Sequence, residues 1–118
     1  MGALADRLLL KAGSKVAIAN ADAAQQAQLA TVEKAASPKE AAAAVLFART
    51  PADLAKHVPP LVRGLREEAR LWICFPPEGE LSRAALSRAL APHSFESVRT
   101  VPLESGWTAL MFLRREQS

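Results

Sequence analysis

Few residues of this chain have the types and spacing that do chemistry, and they lie far apart. Asn20 and Asp22 follow a short apolar run of strand type, Lys15 to Asn20. Open α/β sheets place ligands just beyond the C-terminal ends of their strands, so Asn20 and Asp22 are the candidate cofactor-binding pair. His57 and His93 each stand apart from any second histidine or carboxylate at metal-ligand spacing, so no metal site is expected. Cys74 sits inside an apolar stretch, where a thiol without a neighbouring cation is inert as a nucleophile. Ser105-Gly106 reads as a turn and Arg114-Arg115 as a solvated basic end. Trp72 and Trp107 read as core or interface aromatics, because large rings at strand positions bury area first. No catalytic residue and no cofactor follow from these types.

The elements that must position these residues are easier to read. Arg70-Leu71-Trp72-Ile73-Cys74-Phe75 is too short for a typical helix, is rich in residues that suit a pleated surface, and is stopped by Pro76-Pro77. A strand apolar at nearly every position belongs to a parallel sheet covered on both sides, so this one is expected at the sheet's centre. Before it come a lead-in over residues 4–11, the strand Lys15 to Asn20, and a helix from Ala23 to about Leu29 capped by Asp22. A short edge strand at Thr31-Lys34 and a strand centred on Val45 follow. Thr50 and Pro51 open a helix expected to reach His57, with Pro59 and Pro60 interrupting or restarting it before a second piece from Leu61 to about Glu68. Ser82 caps a helix through Leu90. Phe95 to Pro102 and Trp107 to Leu113 are then joined so briefly that they must form an antiparallel hairpin.

Composition bounds the function. A chain of 118 residues, 50% hydrophobic and 23% charged, suits one α/β domain spanning residues 1–118. The net charge is only +3 and the basic residues are scattered from Arg7 to Arg115, which is a solvated surface and not a nucleic-acid footprint. With 5% aromatic residues there is little material for base stacking. A single cysteine points to a reducing, cytoplasmic compartment, and no targeting or membrane-spanning segment is expected.

The closing order of buried strand, helix and edge hairpin resembles the C-terminal part of class I methyltransferases, which are Rossmann-like. The chain also resembles a family of short bacterial domains of unknown function. The features that carry this are Gly13 with Val16 to Ala21, Val45 to Phe47, Leu71-Trp72 with Phe75-Pro76, and Trp107 to Phe112. The resemblance implies a reduced, mostly parallel open sheet of five or six strands. Its order would be edge strand, first strand, Val45 strand, central strand, final strand, Phe95 strand, with only the final strand reversed. The link from Lys34 to Ala42 is short for a helical crossover, which leaves the edge strand open.

A methyltransferase or dinucleotide site wants a glycine-rich turn after its first strand, so that backbone can approach the ligand. Here the turn is Asn20-Ala21-Asp22-Ala23-Ala24, without glycine. The expected function is therefore a non-enzymatic scaffold acting through a protein partner or as a homodimer, without nucleic acid, membrane, cofactor or small ligand. The alternative is a small-ligand or S-adenosylmethionine-binding, methyltransferase-like protein using Asn20 and Asp22.

Overall fold

The computed structural model describes residues 15–21, 23–28, 33–34, 38–65, 69–76, 78–103 and 106–114. The expected lead-in over residues 4–11, Asp22 as a helix cap or ligand contact, Thr31-Val32, Ser105 and Arg115 lie outside them. Six strands form one sheet: β1 (Lys15–Ala19), β2 (Glu33–Lys34), β3 (Ala43–Phe47), β4 (Arg70–Phe75), β5 (Phe95–Pro102) and β6 (Thr108–Arg114). The helices are α1 (Ala23–Gln28), α2 (Pro51–Gly64) and α3 (Arg83–Leu90), with 3-10 turns at Pro38–Glu40 and Ala91–His93.

The strand order is β2-β1-β3-β4-β6-β5, the order the resemblance implies. The pairs β1–β2, β1–β3 and β3–β4 are parallel, while β6 runs antiparallel to both β4 and β5. The sheet is thus mixed, and its parallel character is confined to the β2-β1-β3-β4 side. The edge strand exists as the two residues Glu33 and Lys34 beside Lys15 and Val16. Its return to β3 needs no α-helix: the 3-10 turn at Pro38–Glu40 makes the crossing, and the Ala42 N–H donates to the Lys15 carbonyl at 2.9 Å.

Period-two alternation sorts the core into two faces. Leu71, Ile73 and Phe75 point with Ala44, Leu46, Leu110 and Phe112 toward α2 and α3, which contribute Leu54, Val58, Leu61, Leu86 and Leu90. Trp72 and Cys74 share the opposite face with Val45, Phe47, Ala109 and Met111. Both Trp72 and Cys74 are fully buried, which bears out β4 as the centre.

Helix α2 corrects the expected break at Pro59-Pro60, because it runs unbroken from Pro51 to Gly64 through both prolines. Each proline removes a donor to the carbonyl four residues back, here Ala55 and Lys56, and both of those residues are exposed. Water can serve the carbonyls left over, while the buried stripe Leu54, Val58, Leu61 and Val62 holds the helix to the sheet. Its start is a full capping box. The Thr50 hydroxyl accepts from the Asp53 N–H at 3.3 Å, and the Asp53 carboxylate accepts from the Thr50 N–H at 3.3 Å. Ser82 caps α3 by accepting from the Ala85 N–H at 3.2 Å, as its position predicts.

The hairpin from β5 to β6 turns through Gly106, whose φ of +93° is costly for any residue with a Cβ. The Leu103 N–H donates to the Trp107 carbonyl at 2.8 Å and closes it. Strand β5 is an edge, mostly exposed on both faces, with a bulge between Ser97 and Arg99 that leaves Val98 unpaired.

Candidate functional site

Two adjacent parallel strands, β1 and β3, send their chains in opposite directions along the sheet: β1 leads to β2 on one side, β3 to β4 on the other. The crevice beyond their C-terminal ends is the topological switch point, where open α/β sheets hold ligands. Asn20 stands there. Its φ of +58° is left-handed, a conformation that asparagine tolerates better than any β-branched or bulky residue. The chain thereby makes, without glycine, the sharp exit that a glycine-rich turn provides elsewhere. The Asn20 amide Nδ2 then donates to the Phe47 carbonyl at 2.7 Å, fastening the end of β1 to the end of β3. This leaves the amide oxygen as an acceptor at the crevice. On the far side of the turn, Gln26 Nε2 of α1 donates to the Ala21 carbonyl at 3.1 Å.

The β3 side of the crevice is set by the start of α2. The Asp53 carboxylate accepts from the Arg49 N–H at 2.9 Å as well as from Thr50. The Arg49 N–H is the main cause holding the Asp53 carboxyl below its usual value; partial burial opposes it, and the Thr50 N–H and the charges of His57 and Arg49 add to the lowering. The Arg49 guanidinium lies over the Trp107 ring, 5.1 Å from its centroid, and Trp107 in turn meets Phe47 with ring centroids 6.3 Å apart.

Trp107 reaches this edge because β6 is antiparallel. Thr108 pairs with Phe75, so the start of β6 lies beside the end of β4. The edge thus gathers an amide, a guanidinium and a half-buried indole from three separate stretches of chain. Arg49 was not legible as a site residue, since its neighbours in sequence mark only a helix start. The available signal for Trp107 was the reversal of the final strand, which puts its first residue at the ligand-binding edge.

The other chemically suggestive residues are not drawn into this group. Cys74 lies within β4, and burial pushes its thiol up to about 12, which keeps it protonated at neutral pH. His57 and His93 lie on α2 and in the 3-10 turn after α3, and among the described residues no cluster of histidine, cysteine and carboxylate could hold a metal ion. Among those residues, too, no helix is long and apolar enough to cross a membrane.

The same architecture occurs in solved structures, among them a methylase and a methyltransferase. The ribosomal protein L11 methylase from Lactobacillus delbrueckii subsp. bulgaricus matches 94% of this chain over 74% of its own, at 15% identity and a TM-score of 0.60. The B. subtilis M1A22 tRNA methyltransferase TrmK matches 86% of this chain at 15% identity and a TM-score of 0.54. LaPhzM matches 85% at 13% identity and a TM-score of 0.54. This chain spans 50% of TrmK and 42% of LaPhzM. No family model matches the chain, and no curated protein does.

The fold is therefore Rossmann-like and methyltransferase-like, a reduced α/β open sheet, as the resemblance implied. The expectation of a non-enzymatic scaffold acting through protein contacts is corrected by the same comparison. The chain shares its architecture with a methylase and a methyltransferase, which favours the alternative reading. The turn after β1 remains without glycine; Asn20 supplies a left-handed conformation there, while the methyl groups of Ala21 and Ala23 are retained.

Proposed function

We propose that this chain is an S-adenosylmethionine-binding, methyltransferase-like protein whose ligand lies at the C-terminal ends of β1 and β3. One observation carries the reading: the left-handed Asn20 at the switch point, bonded across it to the Phe47 carbonyl. The groups on this edge fit the parts of such a ligand. The Asn20 amide oxygen is an acceptor for hydroxyl or amino hydrogens, the Trp107 indole offers an apolar face to a purine, and Arg49 suits the carboxylate of an amino-acid tail. Asp22, two residues further along the sequence, is the second polar group we assign to the ligand. A cytoplasmic location fits the free, buried Cys74.

Titration calorimetry with S-adenosylmethionine tests this directly. Saturable binding at micromolar concentration is expected, and Asn20→Ala should weaken it by about tenfold or more, since it removes both the acceptor and the left-handed preference. Absence of heat from the folded wild-type protein at millimolar ligand would sink the proposal.

A further inference from the structure

Two open recesses of the described residues lie away from the crevice. One, of about 410 Å³, lies between α2 and α3 on the face that both helices cover. Its floor includes Leu54, Val58 and Leu81, all buried, and its walls include Ala55, Ala85 and Ala89. The recess exists because these wall residues are small where two helices face each other. A second recess, of about 340 Å³, adjoins it: both are lined by Pro59 and His93. Together they form one trough along α2 from Pro51 to Arg63, about 18 Å at 1.5 Å of rise per residue.

The trough is polarised. Its first part is apolar except for Arg88 and His93, and its second part brings Arg63 and Arg114 beside that same histidine. Among the described residues no aspartate or glutamate lines either part, and neither Arg63, Arg88 nor Arg114 is ion-paired. Arg114 is held in place. Its Nη2 donates to the Val62 carbonyl at 3.0 Å and its guanidinium lies 5.0 Å over the Phe95 ring. Its Nε is buried and has no acceptor.

We propose that this trough binds a small amphipathic carboxylate, its apolar tail between α2 and α3 and its head among Arg63, His93 and Arg114. Charge complementarity fixes the sign of the head, and the alanine walls fix the narrowness of the tail. A partner protein fits less well. A groove that docks a partner helix is apolar along its length to take large apolar anchors, whereas the second recess here is lined by Arg63, His93, Ser94 and Arg114 beside Pro59 and Val62. The volume is that of a small-molecule site.

Decanoate and its neutral counterpart decanol are the probes, read by amide chemical shifts of the folded protein. Decanoate should shift resonances of α2, α3 and the Ser94 turn saturably. Decanol should bind about tenfold or more weakly, the loss of one charge-assisted contact set. The exposed variant Arg63→Glu should weaken decanoate similarly and leave decanol unchanged, while Ala85→Leu should abolish binding of both. The wild-type comparison of the two probes stands even where a variant fails to fold. Equal affinity for both probes, shifts centred elsewhere, or no saturation would overturn the proposal. So would sedimentation showing a dimer that decanoate dissociates, because the trough would then be covered by a second copy. S-adenosylmethionine should shift residues near Asn20 and Arg49 instead, so each site can fail independently.

Discussion

At the scale of single residues, the left-handed Asn20 and the carboxylate of Asp53 show how much one side chain can organise. Asp53 accepts from two backbone N–H groups at the start of α2, and its carboxyl is held below the ordinary value of 3.8. A carboxylate depressed in the folded state stabilises above its unfolded pKa, and that contribution disappears as pH falls through the folded value. The wild-type urea midpoint should therefore decline on acidification below about pH 4. Asp53→Asn should flatten that decline and cost about 0.5 kcal/mol at neutral pH, a capping contribution discounted for exposure. An unchanged acid slope in the variant would assign the decline to other carboxylates. Cys74 illustrates the reverse case. Its thiol is shifted upward by burial, so it adds stability at neutral pH that is lost as pH rises from 9.0 toward about 12.

At the scale of elements, α2 is the informative one, since its sequence argues against its own continuity. Pro59 and Pro60 lie in its interior, and the helix persists because the residues whose carbonyls they orphan, Ala55 and Lys56, are exposed while its apolar stripe is buried. Pro60→Ala restores a donor at an exposed position without touching the core. It should raise stability by about 1 kcal/mol, the helix gain less the entropy that proline removes from the unfolded chain. A lower melting temperature would mean that the prolines set a bend that the packing of α2 against α3 requires. The hairpin from β5 to β6 makes the complementary point. Gly106 can turn the chain with positive φ, and that turn is what carries Trp107 to the ligand-binding edge.

At the scale of the whole molecule, one six-stranded sheet divides the described core into two faces, and the faces serve different sites. The face under α2 and α3 carries the trough, while the strand ends carry the crevice, so ligands at the two need not compete. Stability rests on the centre of the sheet. Phe112 is fully buried opposite Leu71, and Phe112→Ala should cost about 3–5 kcal/mol in urea denaturation. Val98→Ala at the exposed bulge should stay within about 0.5 kcal/mol. Comparable losses at both positions would contradict the assignment of β5 as an edge.

The sequence alone determined most of the strands and helix starts, because these follow from local signals: apolar runs, prolines, and a capping serine and threonine; the strand order was implied only by the resemblance to methyltransferases. It also placed Asn20 at the end of β1. Only the tertiary structure decided that Asn20 is left-handed and reaches Phe47, 27 residues away. The same holds for Arg49 over Trp107 and for Arg114 under α2 at the Val62 carbonyl. Backbone conformation at a turn can be met by more than one residue type, so the absence of glycine did not settle it. Contacts between distant stretches depend on sheet order and strand direction, which local patterning carries only indirectly. The trough is a volume left between two helices, and no run of residues encodes an empty space.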